Sequence, residues 1–116
     1  MPSMRSDGGK SRLADIRHNI VLAHSFIGTM TFEQFAADTM IFYATTRALE
    51  IISEASRFLP DDLKARHAGV DWVSVRDAGN VYRHAYDIVT EKRVWDTVTK
   101  ALGPLERAVL HELGEG

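Results

Sequence analysis

The chain of 116 residues has no cysteine, no long apolar run and no sustained alternation of apolar with polar residues. Without thiols it can build no disulfide framework, no zinc ribbon and no cysteine nucleophile, and redox chemistry does not fix its compartment. No apolar run approaches the roughly 18 residues that a membrane-spanning helix needs, and the opening residues Met1 to Lys10 lack the apolar block of a secretory signal. These absences lead to the expectation of a cytoplasmic protein, not attached to a membrane, whose residues 1–10 form a flexible tail. The formal net charge of -2 argues against a broad basic surface coating duplex nucleic acid, while leaving room for a local positive cleft. The missing period of two removes β-strands, and neither an internal repeat nor a low-complexity tract follows the tail.

What is present reads as helix. Hydrophobic residues make up 45% and charged residues 26% of the chain, the balance of a globular protein. Residues 11–116 are long enough for one domain that buries roughly two thirds of its unfolded surface. Leu13, Ile16, Ile20, Ala23 and Ile27 recur at spacings of three and four, which predicts a helix from Ser11, as its N-cap, to about Gly28. Thr31 and Gln34 stand at the spacing of a capping box, predicting a short helical turn. Ile41, Ala44, Ala48, Ile52, Ala55 and Leu59 make a stripe of about five turns, widened by Phe42, Leu49 and Ile51, on a central helix that Pro60 ends. A short capped helix follows over 60–67, then a fourth from about Asp71 to Tyr86. A fifth, from Thr90 to Leu113, is kinked or split by Pro104.

The fourth helix carries the densest chemistry. In Asn80-Val81-Tyr82-Arg83-His84-Ala85-Tyr86 an amide, a guanidinium, an imidazole and a phenol fall within seven residues. At about 100° per residue, Arg76, Asn80, Arg83, His84 and Asp87 share one side, opposite Val75, Ala78, Val81, Tyr82 and Ala85. An imidazole moves protons near neutral pH and a guanidinium holds a phosphate, so this ridge suits cutting or carrying a phosphodiester. The plainer use of such a cluster is a solvated helix face. His18, His24, His67 and His111 have no comparable neighbours of interest and are read as doing no chemistry. Arg47, Glu50 and Glu54 could hold a metal on the central helix, but ion pairing is the preferred reading, because the paired Glu-x-x-His pattern of dimetal bundles is lacking. Trp72 and Trp95 are read as packing anchors rather than base-stacking platforms.

The order of Leu13-Ala14-Asp15-Ile16-Arg17, Thr31-Phe32-Glu33-Gln34-Phe35 and Tyr43 through Ala55 resembles the HepT-like family of HEPN domains. Asp71-Trp72, the segment Gly79 to Tyr86 and Val94-Trp95-Asp96-Thr97-Val98 extend the likeness over about residues 12–110. The resemblance implies an all-α, antiparallel bundle of four to five helices that pairs as a symmetric homodimer. It also implies the toxin of a toxin–antitoxin system: a metal-independent endoribonuclease that acts on RNA without a cofactor and is neutralised by a nucleotidyltransferase-fold antitoxin. Asn80, His84 and Tyr86 match the family motif, Tyr86 being the position that some partners modify with AMP. The motif arginine does not carry over, because Gly79 stands there. Arg83, or Arg76 one turn before Asn80, is the candidate to supply a guanidinium. In the implied reaction the RNA 2'-hydroxyl attacks phosphorus, His84 moves the proton, Arg83 steadies the growing charge and Asn80 orients the group. The alternative is a non-catalytic HEPN dimer that serves as a partner-binding or nucleotide-binding module.

Overall fold

The Leu13-to-Ile27 stripe forms the inner face of the first helix, and every one of its five residues is buried. In the computed structural model, residues 7–84 and 88–115 are described, with the backbone alone for 80–84, 88 and 89. Helix α1 spans Lys10–Ile27, α2 Phe32–Ala37, α3 Thr39–Ser56, α4 Asp61–Arg66, α5 Trp72–His84, α6 Ile88–Asp96 and α7 Gly103–Glu112, with a π segment over Thr97–Ala101. No strand occurs among the described residues, and none of their helices is long and apolar enough to cross a membrane. The architecture is a helical bundle.

Local chemistry explains most boundaries. Gly28 adopts φ 53° and its N–H donates to His24 O, closing α1. Ser11 is not the N-cap. Gly9, at φ 85°, precedes the helix, and the Asp7 carboxylate accepts from the N–H groups of Gly9 and Ser11 and from the Ser11 hydroxyl. The stretch read as a tail thus divides between residues 1–6, outside the described residues, and this turn. Thr31 and Gln34 form the expected capping box: Gln34 N–H donates to Thr31 Oγ1 at 3.1 Å and Thr31 N–H to Gln34 Oε1 at 2.9 Å. Asp38 caps α3 by accepting from Ile41 N–H.

Two helices end earlier than their apolar stripes suggest. α3 stops at Ser56, and the chain reaches Pro60 through tight turns in which Phe58 N–H donates to Ala55 O and Leu59 N–H to Ser56 O. The last helix is interrupted ahead of Pro104. Proline has no N–H to give the carbonyl four residues back, that of Lys100, and the helix widens over Thr97–Ala101 before restarting at Gly103.

The core lies mainly between α1 and α3, with α5 against α3 and α7 against α1. Ile16, Ile20, Ile52, Val94 and Val109 are each at most 2% exposed, so each contributes about 1.5–3 kcal/mol of transfer free energy by leaving water. Phe35 joins α2 to α6 through Trp95, with ring centroids 5.5 Å apart. Trp95 is therefore a packing anchor, as expected.

Candidate functional site

Helix α5 owes its position to three polar ties. At its start Asp71 Oδ1 accepts from Ser74 N–H at 3.1 Å, and Asp71 Oδ2 from the Ser74 hydroxyl at 2.8 Å. Those bonds, the backbone one first, hold the Asp71 carboxyl below its ordinary range. The Trp72 indole N–H donates to both Lys64 O and His67 O at 3.1 Å, fastening α5 to the end of α4. Halfway along, Ser53 of α3 donates its hydroxyl to Arg76 O at 2.7 Å, and its Oγ accepts from Gly79 N–H at 3.2 Å.

The inner face of α5 is clear from burial. Val75 and Ala78 are half-buried and Gly79 is buried, while Val73, Ser74, Arg76 and Asp77 are exposed. Position 79, which the resemblance matches to a motif arginine, is therefore turned toward α3. Its backbone N–H is within hydrogen-bonding distance of Ser53. Arg76, on the exposed side, donates from Nε to Asp77 Oδ1 at 2.9 Å in a pair open to solvent. Such a pair adds little stability, and Arg76 can exchange partners at small cost. The backbone is helical through Asn80, Arg83 and His84, and helical periodicity aligns these positions with Arg76. The side chains of Asn80, Arg83 and His84 lie outside the described residues, as does the whole of Tyr86.

A mainly apolar cleft of about 380 Å³ lies on the inner side of α5, between Ile52, Ser53, Val75, Ala78, Leu102 and Leu105. Its lining offers one titratable group, Asp71, whose oxygens already serve Ser74. The cleft therefore lacks acid–base equipment.

Other sequence candidates resolve plainly. Arg47 pairs with Glu50 at 3.5 Å and Glu54 is exposed, so that trio is an ion-pairing face rather than a metal site. His24 Nε2 lies 3.3 Å from Val98 O, a tie between α1 and the π segment. The reading of His67 and His111 as histidines without notable neighbours is corrected. His67 Nε2 lies 2.6 Å from Glu112 Oε2, the two imidazole rings meet edge to face, and Arg66 grips the same carboxylate. Hydrogen bonds from Arg66, and next from His67, pull the Glu112 carboxyl down to about 2. A separation of 45 residues between His67 and Glu112 hid this cluster from any local motif.

The family model described as "Ribonuclease HepT-like" matches residues 16–111. This chain belongs to the HepT-like ribonuclease family. Among HepT-like relatives, "Probable ribonuclease HepT" of Thermococcus cleftensis is 35% identical over 97 residues, covering 84% of this chain and 88% of that one. "Putative RNase TTE0752" of Caldanaerobacter subterraneus is 32% identical over 80 residues, covering 69% and 71%. A Methanocaldococcus jannaschii relative, "Putative RNase MJ1380", is 29% identical over 100 residues, covering 86% and 92%. No solved structure matches. The HepT-like match runs from α1 into the last turn of α7 and includes the whole of α5.

Proposed function

We propose that this chain is a metal-independent endoribonuclease, the toxin of a toxin–antitoxin pair, acting on RNA from the outward ridge of α5. The RNA 2'-hydroxyl attacks the adjacent phosphorus and the 5'-oxygen departs, leaving a cyclic phosphate; His84 moves the proton, Arg83 faces the charge that builds on the phosphoryl oxygens, and Asn80 orients the phosphate or the imidazole. Arg76 supports the same groove. A symmetric homodimer brings two ridges together and concentrates positive potential on a protein whose net charge is -2. A nucleotidyltransferase-fold antitoxin neutralises the toxin by binding it or by adding AMP at Tyr86. The observation that carries this reading is family membership over residues 16–111, a span that includes the helix bearing Asn80, Arg83 and His84.

One observation favours a second reading. Gly79 occupies the motif-arginine position and is buried against α3, which fits a partner-binding or nucleotide-binding module without nuclease activity. Incubating the purified protein and its His84→Ala variant with unstructured and structured RNA separates the two. Cleavage that disappears with His84→Ala supports the nuclease. Equal cleavage by both proteins identifies a contaminant, and none by either leaves the binding module.

A further inference from the structure

Where α4 ends, its last residues meet the final turn of α7 in a cluster far from the ridge. Glu112 Oε2 lies 2.6 Å from His67 Nε2 and 3.8 Å from His111 Nδ1. One donor atom from each of the three residues falls within 4.8 Å of the others. The His67 and His111 rings stand edge to face with centroids 5.3 Å apart. Two imidazoles and a carboxylate are a donor set suited to zinc and its first-row neighbours.

The surroundings fit such a site. Arg66 donates from Nε and Nη2 to the two Glu112 oxygens, at 3.2 and 2.9 Å, and so fixes the carboxylate plane as outer partners do around a bound cation. The Glu112 and His67 side chains are 12% and 15% exposed, whereas His111 is 70% exposed. The site therefore has two fixed ligands and one that can swing in to close it. An open cleft of about 400 Å³ bordered by His67, Arg107 and His111 gives water or a small anion access to the two imidazoles. An ion-paired Arg66, Glu112 and His67 would explain the shortest contacts without any metal. The edge-to-face packing of His111 on His67 then carries a third donor, Nδ1, to 3.8 Å from the same carboxylate, which completes a three-ligand set.

We propose that His67, His111 and Glu112 bind one divalent cation of the zinc class, with Arg66 as the positioning residue, and that the ion staples the end of α7 to α4. Bonds of about 2.0–2.2 Å in a tetrahedral array hold ligand atoms further apart than the present imidazole–carboxylate contact, and the exposed His111 and the end of α7 take up that adjustment. The ion would act on structure. His67 O accepts from the Trp72 indole, so the staple steadies the base of α5, while His84 is about 18 Å further along that helix. The site therefore stands apart from the cleavage reaction and does not depend on it.

The test uses the full chain, stripped with a chelator and titrated with Zn²⁺ alone by calorimetry and with Co²⁺ by visible absorption. The expected result is one ion per chain, a thermal midpoint raised by loading, and affinity reduced about tenfold or more by His111→Ala and by Glu112→Gln. His18→Ala, an exposed change on α1, should leave binding intact. His111 is exposed, so its variant should fold, which circular dichroism checks directly. Absence of saturable binding would overturn the proposal, as would affinity indifferent to both ligand substitutions or abolished by His18→Ala.

Discussion

The Ser53 hydroxyl lies 3.2 Å from the backbone nitrogen of Gly79 and accepts its proton, while donating its own to Arg76 O at 2.7 Å. One buried side chain of α3 thereby satisfies a donor and an acceptor on α5. Ser53→Ala removes both bonds without opening a large void. The expected loss is about 1–3 kcal/mol, the net worth of two hydrogen bonds to backbone groups within α5, measured by urea denaturation.

Restoring the family arginine at position 79 should fail. The site is buried against α3, so Gly79→Arg should destabilise by about 1–3 kcal/mol or more through overpacking. It should leave RNA cleavage no faster than that of the unaltered protein. Thermal unfolding and a gel-based cleavage assay on the same preparation check both halves; a folded, faster variant would show that the position can look outward.

Both proposed reaction groups should be needed for cleavage. His84→Ala should slow RNA cleavage by about 10²–10⁴-fold, the range for losing general acid–base help. Arg83→Ala should cost about 10²–10³-fold, the range for losing a donor to developing charge. Arg76→Ala should have a smaller effect, since its guanidinium already pairs with Asp77. Single-turnover rates on one RNA order the three. A chelator should leave the unaltered protein's cleavage rate unchanged even where it lowers the unfolding temperature.

Acid should loosen α5 from its start. The Asp71 carboxyl is depressed in the folded chain below the ordinary value of 3.8 by its bonds to Ser74. Its contribution is thus fully present above that ordinary value and is lost as pH falls through the lowered one. In an acid titration followed by thermal unfolding, Asp71→Ala should flatten this part of the curve, and Asp71→Asn should retain a cap while losing the pH dependence.

The apolar stripe of α1 was legible because a repeat of three and four leaves little choice of which side to bury, and Leu13 through Ile27 are all inside. The Thr31–Gln34 reciprocity was legible for a similar reason, since both partners lie within one turn. The start of α1 was less so: the Asp7 carboxylate reached over Gly8 and took the capping role expected of Ser11. Pro104 announced an interruption but not its form, because whether a helix kinks, splits or widens depends on what packs beside it. On α5 the sequence placed Val75 and Ala78 inward and Arg76 outward, as burial has them, while the tie from Ser53 to Gly79 spans 26 residues. The meeting of His67 with Glu112 was hidden for the same reason.

Helix α5 behaves as a lever clamped near one end. With Trp72 as the sole fulcrum, a tilt of about 10° would swing the backbone at His84, about 18 Å away, through about 3 Å. The second clamp that Ser53 places at Gly79 shortens the free arm to about 8 Å, and the same tilt then moves that backbone by little more than about 1 Å. A serine on α3, outside the proposed reaction groups, thus bears on how far the end of α5 can tilt.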